Sequence, residues 1–183
     1  MSRVPSLETE RLFLREVTEE NSLDYEKYFV DWEVIRFLSS VVPWPYPEGG
    51  VSEYIRNVII PNQGKDKWVW GIFLKSNPNE LIGVVDLWRS GSPENRGFWL
   101  GRPFWGLGYM TEATQAVTEF AFTELDFDKL VFSNAVGNDR SHRVKAKCGA
   151  KLKSRSPASF VSEDFREQEI WELTKEDWLA SKS

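Results

Sequence analysis

The stretch FWGLGYMTEAT, residues 104–114, holds two glycines directly before a segment with helical periodicity. From Met110 onward the apolar residues recur every three or four positions, at Ala113, Val117, Phe120, Ala121 and Leu125. Glycine in a helix costs about 0.5–1 kcal/mol, so Gly106 and Gly108 need a structural reason or a ligand. The pattern predicts a glycine-bearing loop that opens a long helix.

A strand precedes this loop. The run RGFWLG, residues 96–101, is largely apolar and leads directly into the loop. At such a junction the first N–H groups of the helix are unpaired and lie at the positive end of its dipole, which suits a phosphate group. The Lys-Ser or Lys-Thr pair of a P-loop and the third glycine of a dinucleotide fingerprint are both missing after Gly108. A phosphate site and a plain strand-to-helix turn both remain open.

The first third of the chain predicts a strand, two helices and a loop. Residues 11–17 alternate apolar and polar side chains, as a strand does, and Thr18 is a suitable N-cap for a helix over 19–29. The prolines and glycines of VVPWPYPEGG, residues 41–50, indicate a loop. A second helix is expected to begin at Ser52 and to end at Pro61.

The rest of the chain predicts a meander followed by a strand–helix–strand unit. Apolar runs at 68–74 and 81–88, separated by the turn formers KSNPNE, are followed by the turn RSGSPEN at 89–95 and the strand at 96–101. After the long helix we expect a strand at 129–136, a helix over 138–150 that Gly149 ends, and strands at 150–158 and 165–174. In the last strand Ile170 and Leu173 are expected to face inward.

This order predicts an α/β (α+β) fold with one layer of mixed, mostly antiparallel sheet and helices on its faces. A length of 183 residues suits a single domain over 1–183. The net charge of −5 argues against an extended nucleic-acid surface. The charged N-terminus and the lack of a long apolar run argue against a signal peptide or a membrane span, so we expect a cytoplasmic protein.

Cysteine and histidine are too scarce for several kinds of site. Cys148 is the only cysteine and His142 the only histidine, which argues against an internal disulfide and a zinc site. His142 directly follows Ser141, and neighbours on a helix diverge by about 100 degrees, so the two cannot act as base and nucleophile. We therefore expect His142 to be a surface helix residue.

Four stretches resemble the GNAT N-acetyltransferases, specifically the RimJ/RimL-like branch that acetylates ribosomal protein N-termini. They are LETERLFLRE at 7–16, IGVVDLW at 82–88, GFWLGRPFWGLGYMTEA at 97–113 and NDRSHRVKAKCGA at 138–150. The resemblance covers roughly residues 7–178 in the family's order. It implies an acetyl-CoA-dependent enzyme that moves an acetyl group to a primary amine, such as a protein N-terminal α-amine, by direct attack on the thioester.

The resemblance also implies where coenzyme A lies. In the family a Q/R-x-x-G-x-G/A loop binds the pyrophosphate through backbone amides; here Trp105 stands in place of Gln or Arg, Gly108 is the first glycine, and Met110 replaces the second. Two neighbouring strands that are the family's fourth and fifth, here 97–101 and 130–136, splay apart, which exposes a backbone N–H near Leu100 to the thioester oxygen. The implied cofactor-binding residues are Leu100, Trp105, Gly106, Leu107, Gly108, Tyr109, Met110, Thr111, Asn138 and Ser141.

Positive charge near the pyrophosphate could come from Arg102, Arg140 and Arg143, which could equally be solvated surface residues. Glu112, in the first turn of the long helix, suits the helix dipole better than it suits catalysis.

A second motif, N-x-x-S-x-x-V-x-x-K-x-G, is met by Asn138, Ser141, Val144, Lys147 and Gly149. Many GNAT enzymes carry a tyrosine four residues after the serine position, as the acid that protonates the leaving thiolate, but this chain has Lys145 there. The resemblance therefore makes Ser141 the candidate acid, although a serine there also suits a helix start.

The reaction also needs a neutral amine and a wall for the acceptor. An α-amine with a pKa near 8 is roughly a tenth neutral at pH 7, far more than a lysine amine with a pKa near 10.4. Asp86 and Glu94 are the candidate general bases, with a water relay as the alternative. The family builds its acceptor wall from the loop at 41–50, which makes Trp44 and Tyr46 candidate acceptor contacts.

Two other functions remain open. A small-amine or antibiotic N-acetyltransferase would share the cofactor half and differ only in the acceptor loops. A non-catalytic acyl-CoA sensor would agree with the departures at Trp105, Met110 and Lys145. The expected partners are acetyl-CoA and an amine acceptor, without membrane, metal or direct nucleic acid, and the chain is expected to be a monomer or homodimer.

Overall fold

The computed structural model describes residues 3–90 and 94–182, which form eight strands and seven labelled α-helices. The strands are β1 (Leu7–Glu8), β2 (Leu12–Glu16), β3 (Lys67–Leu74), β4 (Asn77–Trp88), β5 (Arg96–Leu100), β6 (Lys129–Ala135), β7 (Lys151–Pro157) and β8 (Glu167–Thr174). The helices are α1 (Ser22–Phe29), α2 (Trp32–Ile35), α3 (Gly50–Tyr54), α4 (Ile60–Asn62), α5 (Tyr109–Thr123), α6 (Asp139–Lys147) and α7 (Lys175–Ser181).

The strands form two antiparallel sheets. The first has the order β1-β2-β3-β4-β5 and the second the order β6-β8-β7. In β3 the six residues from Trp68 to Phe73 are all buried, as expected for a central strand covered on both faces. The predicted meander and the expected helices on both faces are confirmed.

Alternation along β4 sends its side chains to two different cores. Val85 and Leu87 pack with α5 and with Leu130 and Phe132 of β6, so this core spans both sheets. Val84 faces the other way, toward Tyr25 and Phe29 of α1 and the apolar face of α3. Asp86 is two residues after Val84 and therefore lies on the α1 side of the sheet.

Asn95 joins β5 to β6 at the point where the two sheets meet. Its backbone N–H donates to the carbonyl of Val131 at 2.7 Å, its side-chain oxygen accepts the Val131 N–H at 2.8 Å, and its side-chain amide donates to the Trp88 carbonyl at 3.0 Å. Beyond Asn95, β5 pairs with β4 and β6 pairs with β8. The predicted splay is confirmed, and it divides the expected single layer into two sheets.

Several boundaries differ from the sequence predictions. The helix expected to begin at Ser52 begins at Gly50 and runs through a π-helical turn, Ile55–Ile59, into α4, so Pro61 lies inside the helical segment rather than ending it. Pro61 has no backbone N–H to donate to a helical hydrogen bond, and the π-helical turn lies directly before the turn that contains it. β4 begins within the predicted turn at 75–80, and residues 91–93 of the turn predicted at 89–95 lie outside the described residues.

The prediction for the last strand was half wrong. Leu173 is buried as expected, but its partners on that face of β8 are Trp171 and Glu169, while Ile170 lies on the other face. Side chains three residues apart on a strand point in opposite directions, so Ile170 and Leu173 cannot share a face.

The short strand β1 and the terminal helix α7 were not predicted. Among the described residues, no helix has the length and apolar character needed to span a membrane.

Replacement of Asn95 by alanine tests the junction between the sheets. The change removes the acceptor of the Val131 N–H and the donor to the Trp88 carbonyl, so the free energy of unfolding is expected to fall by about 1–3 kcal/mol in denaturant titrations. Asn57→Ala, at an exposed helical position, is the matched control and should change it by less than about 0.5 kcal/mol. Equal effects of the two substitutions would show that Asn95 does not hold the sheets together.

Candidate active site

A cleft of about 860 Å³ opens where β5 and β6 diverge. Residues from both sides of the first sheet line it, because the gap between the strands passes through the sheet layer. Loop 105–108, α6 and its N-cap contribute Trp105, Gly106, Gly108, Asn138, Arg140, Ser141 and Lys145, and the α1 side contributes Tyr25, Phe29, Tyr46, Tyr54 and Asp86.

The glycines of the opening stretch form the start of α5. Gly108 is the N-cap residue in the left-handed conformation, with φ of 83°, and Gly106 also has a positive φ of 75°. The positive φ of Gly106 is the reason that glycine is favoured there. A Cβ atom at this position would meet nothing within 4 Å, so the space beside Gly106 is open. Gly108 has no side chain with which to cap the first-turn N–H groups of α5. The loop therefore offers backbone donors at the mouth of the cleft, where Tyr109, Met110 and Thr111 also lie.

Trp105 anchors this loop to β5. Its indole N–H donates to the carbonyl of Leu100 at 2.7 Å, and the guanidinium of Arg140 lies 3.5 Å above its ring. Arg140 sits on the first turn of α6 and lines the cleft. A tryptophan in place of the family's Gln or Arg thus brings an arginine from another helix to the same loop by a cation–π contact.

A second brace comes from the N-terminal segment. Glu112 accepts hydrogen bonds from the Thr9 hydroxyl and from both the backbone and the side chain of Arg11, at 2.5, 2.7 and 2.8 Å. Arg11 in turn donates to the carbonyl of Leu107 at 2.9 Å. Burial works against the charge, but these hydrogen bonds hold the pKa of Glu112 below its ordinary value. Glu112 therefore fixes the loop from outside the cleft.

The backbone of Leu100 faces the gap. Gly101 donates its N–H to Ile82 of β4 at 2.8 Å, and polar groups of successive strand residues point to opposite edges. The Leu100 carbonyl accordingly meets Trp105 on the side away from β4. Because the N–H and carbonyl of one strand residue point to the same edge, the Leu100 N–H also points away from β4.

Ser141 lies in the first turn of α6, beside the cleft. Asn138 is the N-cap, and its side-chain oxygen accepts the Ser141 N–H at 3.4 Å. The hydroxyl of Ser141 accepts a hydrogen bond of 2.5 Å from the ammonium of Lys145, and both side chains are buried. Burial, and next the positive charge of Arg96, lower the pKa of Lys145 to about 7. The sequence placed Lys145 at the family's tyrosine position, four residues after Ser141, but did not predict its contact with the Ser141 hydroxyl.

The two candidate bases line the cleft and contact different strands. Asp86 accepts the Gly97 N–H at 2.8 Å, and burial raises its pKa to about 6 against the opposing charge of Lys67. Glu94 precedes β5 and accepts the hydroxyl of Ser133 from β6 at 2.5 Å, so it spans the gap near its base. Asp86 is thus on the opposite side of the sheet from Ser141, and the cleft connects them.

Of three residues predicted to bind a substrate or the cofactor, Tyr46, Trp44 and Leu107, only Tyr46 is among the described residues that line the cleft. Tyr46 lines the cleft and packs edge-on against Phe29 with ring centroids 5.5 Å apart. Trp44 is half-exposed and packs against Trp32, and neither it nor Leu107 is among the described residues that line the cleft.

Segments 36–40 and 159–162 are joined by backbone hydrogen bonds beside the cleft. Their donors are the N–H groups of Ser40, Val161 and Ser162.

The sequence matches the acetyltransferase (GNAT) domain family over residues 11–151. This span covers the meander, the glycine loop and α6. The chain belongs to the GNAT acetyltransferases. The predicted family, the GNAT acetyltransferases, is therefore confirmed.

The chain is also similar to individual GNAT proteins. It is 26% identical over 87 residues to a Bacillus subtilis (strain 168) protein named "Putative ribosomal N-acetyltransferase YdaF", a match that spans 47% of the chain and 48% of that relative. Ribosomal-protein-S5-alanine acetyltransferase from Vibrio fischeri shares the fold with a TM-score of 0.78 at 14% identity, over 95% and 98% of the two chains. RimL, a ribosomal L7/L12 α-N-protein acetyltransferase solved with coenzyme A, gives 0.77 at 19% identity, over 93% and 98%.

Metal ligands do not cluster in the described ranges, since no three His, Cys, Asp or Glu side chains there could hold an ion together.

Valine in place of Gly108 tests the loop as the coenzyme A site. A β-branched residue at this φ would strain the backbone and crowd the space beside the first-turn N–H groups. We expect the Kd for coenzyme A, measured by calorimetry, to rise by more than about tenfold, or about 1.4 kcal/mol.

Gly49→Val is the matched control for this experiment. Gly49 is also a left-handed N-cap, of α3, with φ of 73°; a Cβ there would meet nothing within 4 Å, whereas one at Gly108 would lie 3.2 Å from Nη2 of Arg11. Both variants should lose about 1–2 kcal/mol of stability through strain, but Gly49→Val should keep its affinity for coenzyme A. Loss of affinity in both variants, or in neither, would contradict the assignment of the loop.

Proposed function

We propose that this GNAT protein transfers the acetyl group of acetyl-CoA to a primary amine, with a protein N-terminal α-amine as the acceptor. One observation carries the proposal: the cleft joins a candidate acid, Ser141, on one side of the sheet to a candidate base, Asp86, on the other. A thioester held in the gap would then have an acid on its sulfur side and a base on its acceptor side.

The residues of the gap fit acetyl-CoA. The uncapped start of α5 and the guanidinium of Arg140 suit a diphosphate, and the outward N–H of Leu100 suits the thioester oxygen. Acetyl-CoA supplies an activated acetyl group bonded to a thiol leaving group. The chain's part is to hold that group, to accept a proton from the amine and to donate one to the sulfur.

Asp86 is proposed as the general base. Its raised pKa of about 6 leaves it ionised at pH 7 yet basic enough to take a proton from an attacking amine. Glu94 accepts a hydrogen bond from Ser133 across the gap, which favours a structural role in holding β5 and β6 together where the gap begins. An α-amine, already roughly a tenth neutral at pH 7, needs less help from Asp86 than a lysine side chain would.

Ser141 is proposed as the group that protonates the leaving thiolate. It is buried in the wall of the cleft, and the Asn138 cap fixes its place in the first turn of α6. The names of similar proteins support a protein N-terminus as the acceptor, since they include a ribosomal N-acetyltransferase and an α-N-protein acetyltransferase. These names also favour the RimJ/RimL-like branch.

Thiol release from acetyl-CoA tests the function directly. The assay compares peptides with free N-termini, the same peptides with blocked N-termini, polyamines and aminosugars. Release with free peptides only supports the proposal. Release with polyamines or aminosugars instead would establish the small-amine function, and calorimetric binding of acetyl-CoA without release by any acceptor would establish the sensor.

Asp86→Asn tests the base. We expect kcat/KM for a peptide acceptor to fall by about 10²–10⁴-fold, with the Kd for coenzyme A nearly unchanged. In the natural protein log kcat/KM should fall with a slope of about two below pH 6, because the ionised fraction of Asp86 and the neutral fraction of the α-amine each fall about tenfold per pH unit there. The variant should show a slope of about one.

Asp128→Asn, at an exposed position, is the control and should keep both the rate and the steeper slope. A slope of two that persists in Asp86→Asn would assign the second proton to another group.

A further inference from the structure

We propose that Lys145 is the positioning residue that holds Ser141 and resupplies its proton, so that the pair replaces the tyrosine acid usual in this family. The inference deepens the proposed function and rests on it for the direction of proton flow. It begins from geometry alone, because the Lys145 ammonium donates to the Ser141 hydroxyl at 2.5 Å. Residues four apart on α6 share one helix face, which keeps the two side chains together.

Lys145 is unusual because it is buried without an ion pair to its ammonium in the described part of the chain. Only 2% of its surface is exposed, and it lines the cleft. Its ammonium lies 4.9 Å from the ring centre of Phe98 and 5.9 Å from that of Phe132. A buried lysine generally costs stability, so one directed at a serine in a cleft is better explained by chemistry than by packing.

Charged and titratable groups face Lys145 from each neighbouring element. Arg96 of β5 opposes its positive charge, whereas Glu94 before β5, Cys148 after α6 and Glu169 of β8 favour it. Burial is the largest influence, and together these groups lower the pKa of Lys145 to about 7. A thiol has an ordinary pKa of about 8.5, so proton transfer from Lys145 through Ser141 to a thiolate runs downhill.

The protons balance in a single turnover. The amine nitrogen bonds to the acetyl carbon and loses a proton to Asp86, while the bond between that carbon and sulfur breaks. The departing sulfur takes the hydroxyl proton of Ser141, and Ser141 takes a proton from the Lys145 ammonium, which becomes a neutral amine. Asp86 then returns its proton to water and Lys145 recovers one from water, so the enzyme is restored and the products are an amide and a free thiol.

This order of proton transfers fixes the direction in which kcat changes with pH. The donor must be protonated, so kcat should fall as the pH rises through the pKa of Lys145, near 7. Protonation of the proposed base Asp86 lowers the rate on the acidic side of the pH profile instead. The effects of Asp86 and Lys145 can therefore be told apart.

The test uses Lys145→Met, which keeps the length and burial of the side chain, and Lys145→Gln, which can still donate a hydrogen bond to Ser141 but holds no transferable proton. Both are expected to lower kcat by about 10²-fold and to remove the alkaline limb, with the Kd for coenzyme A within about twofold of the natural value. Adding Ser141→Ala to either should lower kcat little further, because residues of one relay are not additive.

Lys151→Met is the matched control. Lys151 is exposed and pairs with Asp177 at 3.0 Å, away from the cleft. This variant should keep both kcat and the alkaline limb.

A second measurement needs no turnover. In protein with ¹³C-labelled lysine side chains and no acetyl-CoA, one lysine signal should titrate near pH 7 and should be missing from Lys145→Met but present in Lys151→Met. If all lysine signals titrate near the ordinary value of about 10.4, or if Lys145→Gln retains kcat and the alkaline limb, the inference is wrong. Absence of thiol release by the natural protein with every amine would instead overturn the proposed function, and the titration would still report on Lys145.

Discussion

The divergence of β5 and β6 beyond Asn95 is the constraint on which the rest of the structure depends. Two neighbouring strands that continued as a ladder would pair the backbone groups of Leu100 with those of β6 and would close the sheet. Because the strands part, a deep cleft passes between them, and the long helix α5 begins at its mouth. The loop, the proposed acid Ser141 and the proposed base Asp86 all take their positions from that opening.

Burial then sets the chemistry of the groups around the opening. The same removal from water raises the pKa of Asp86 and lowers that of Lys145, because in each case it disfavours the charged form. The result is a carboxylate, the proposed base, that is ionised at neutral pH on one side of the sheet, and an ammonium that loses its proton near neutral pH on the other. Each group lies beside a polar partner, the Gly97 N–H for Asp86 and the Ser141 hydroxyl for Lys145.

Local features of the fold could be predicted from the sequence, and contacts distant along the chain could not. Glycines before a helical stripe predicted the loop and α5, and the residues of 138–150, with Asn138 or Ser141 near the start and Gly149 at the end, predicted α6, because both signals are set by nearby residues. The splay came from the family resemblance. The stacking of Arg140 on Trp105 and the brace from Arg11 to Glu112 join segments that only the fold brings together. For the same reason the sequence did not predict the packing of Trp44 on Trp32.

Crystals of the protein grown with coenzyme A give the most direct test of this account. It predicts the diphosphate within hydrogen-bonding distance of the backbone N–H groups of residues 106–110, and the thiol in the gap between β5 and β6 on the Ser141 side. A nucleotide bound elsewhere on the surface, or a ladder of hydrogen bonds that closes β5 against β6 in the complex, would contradict it.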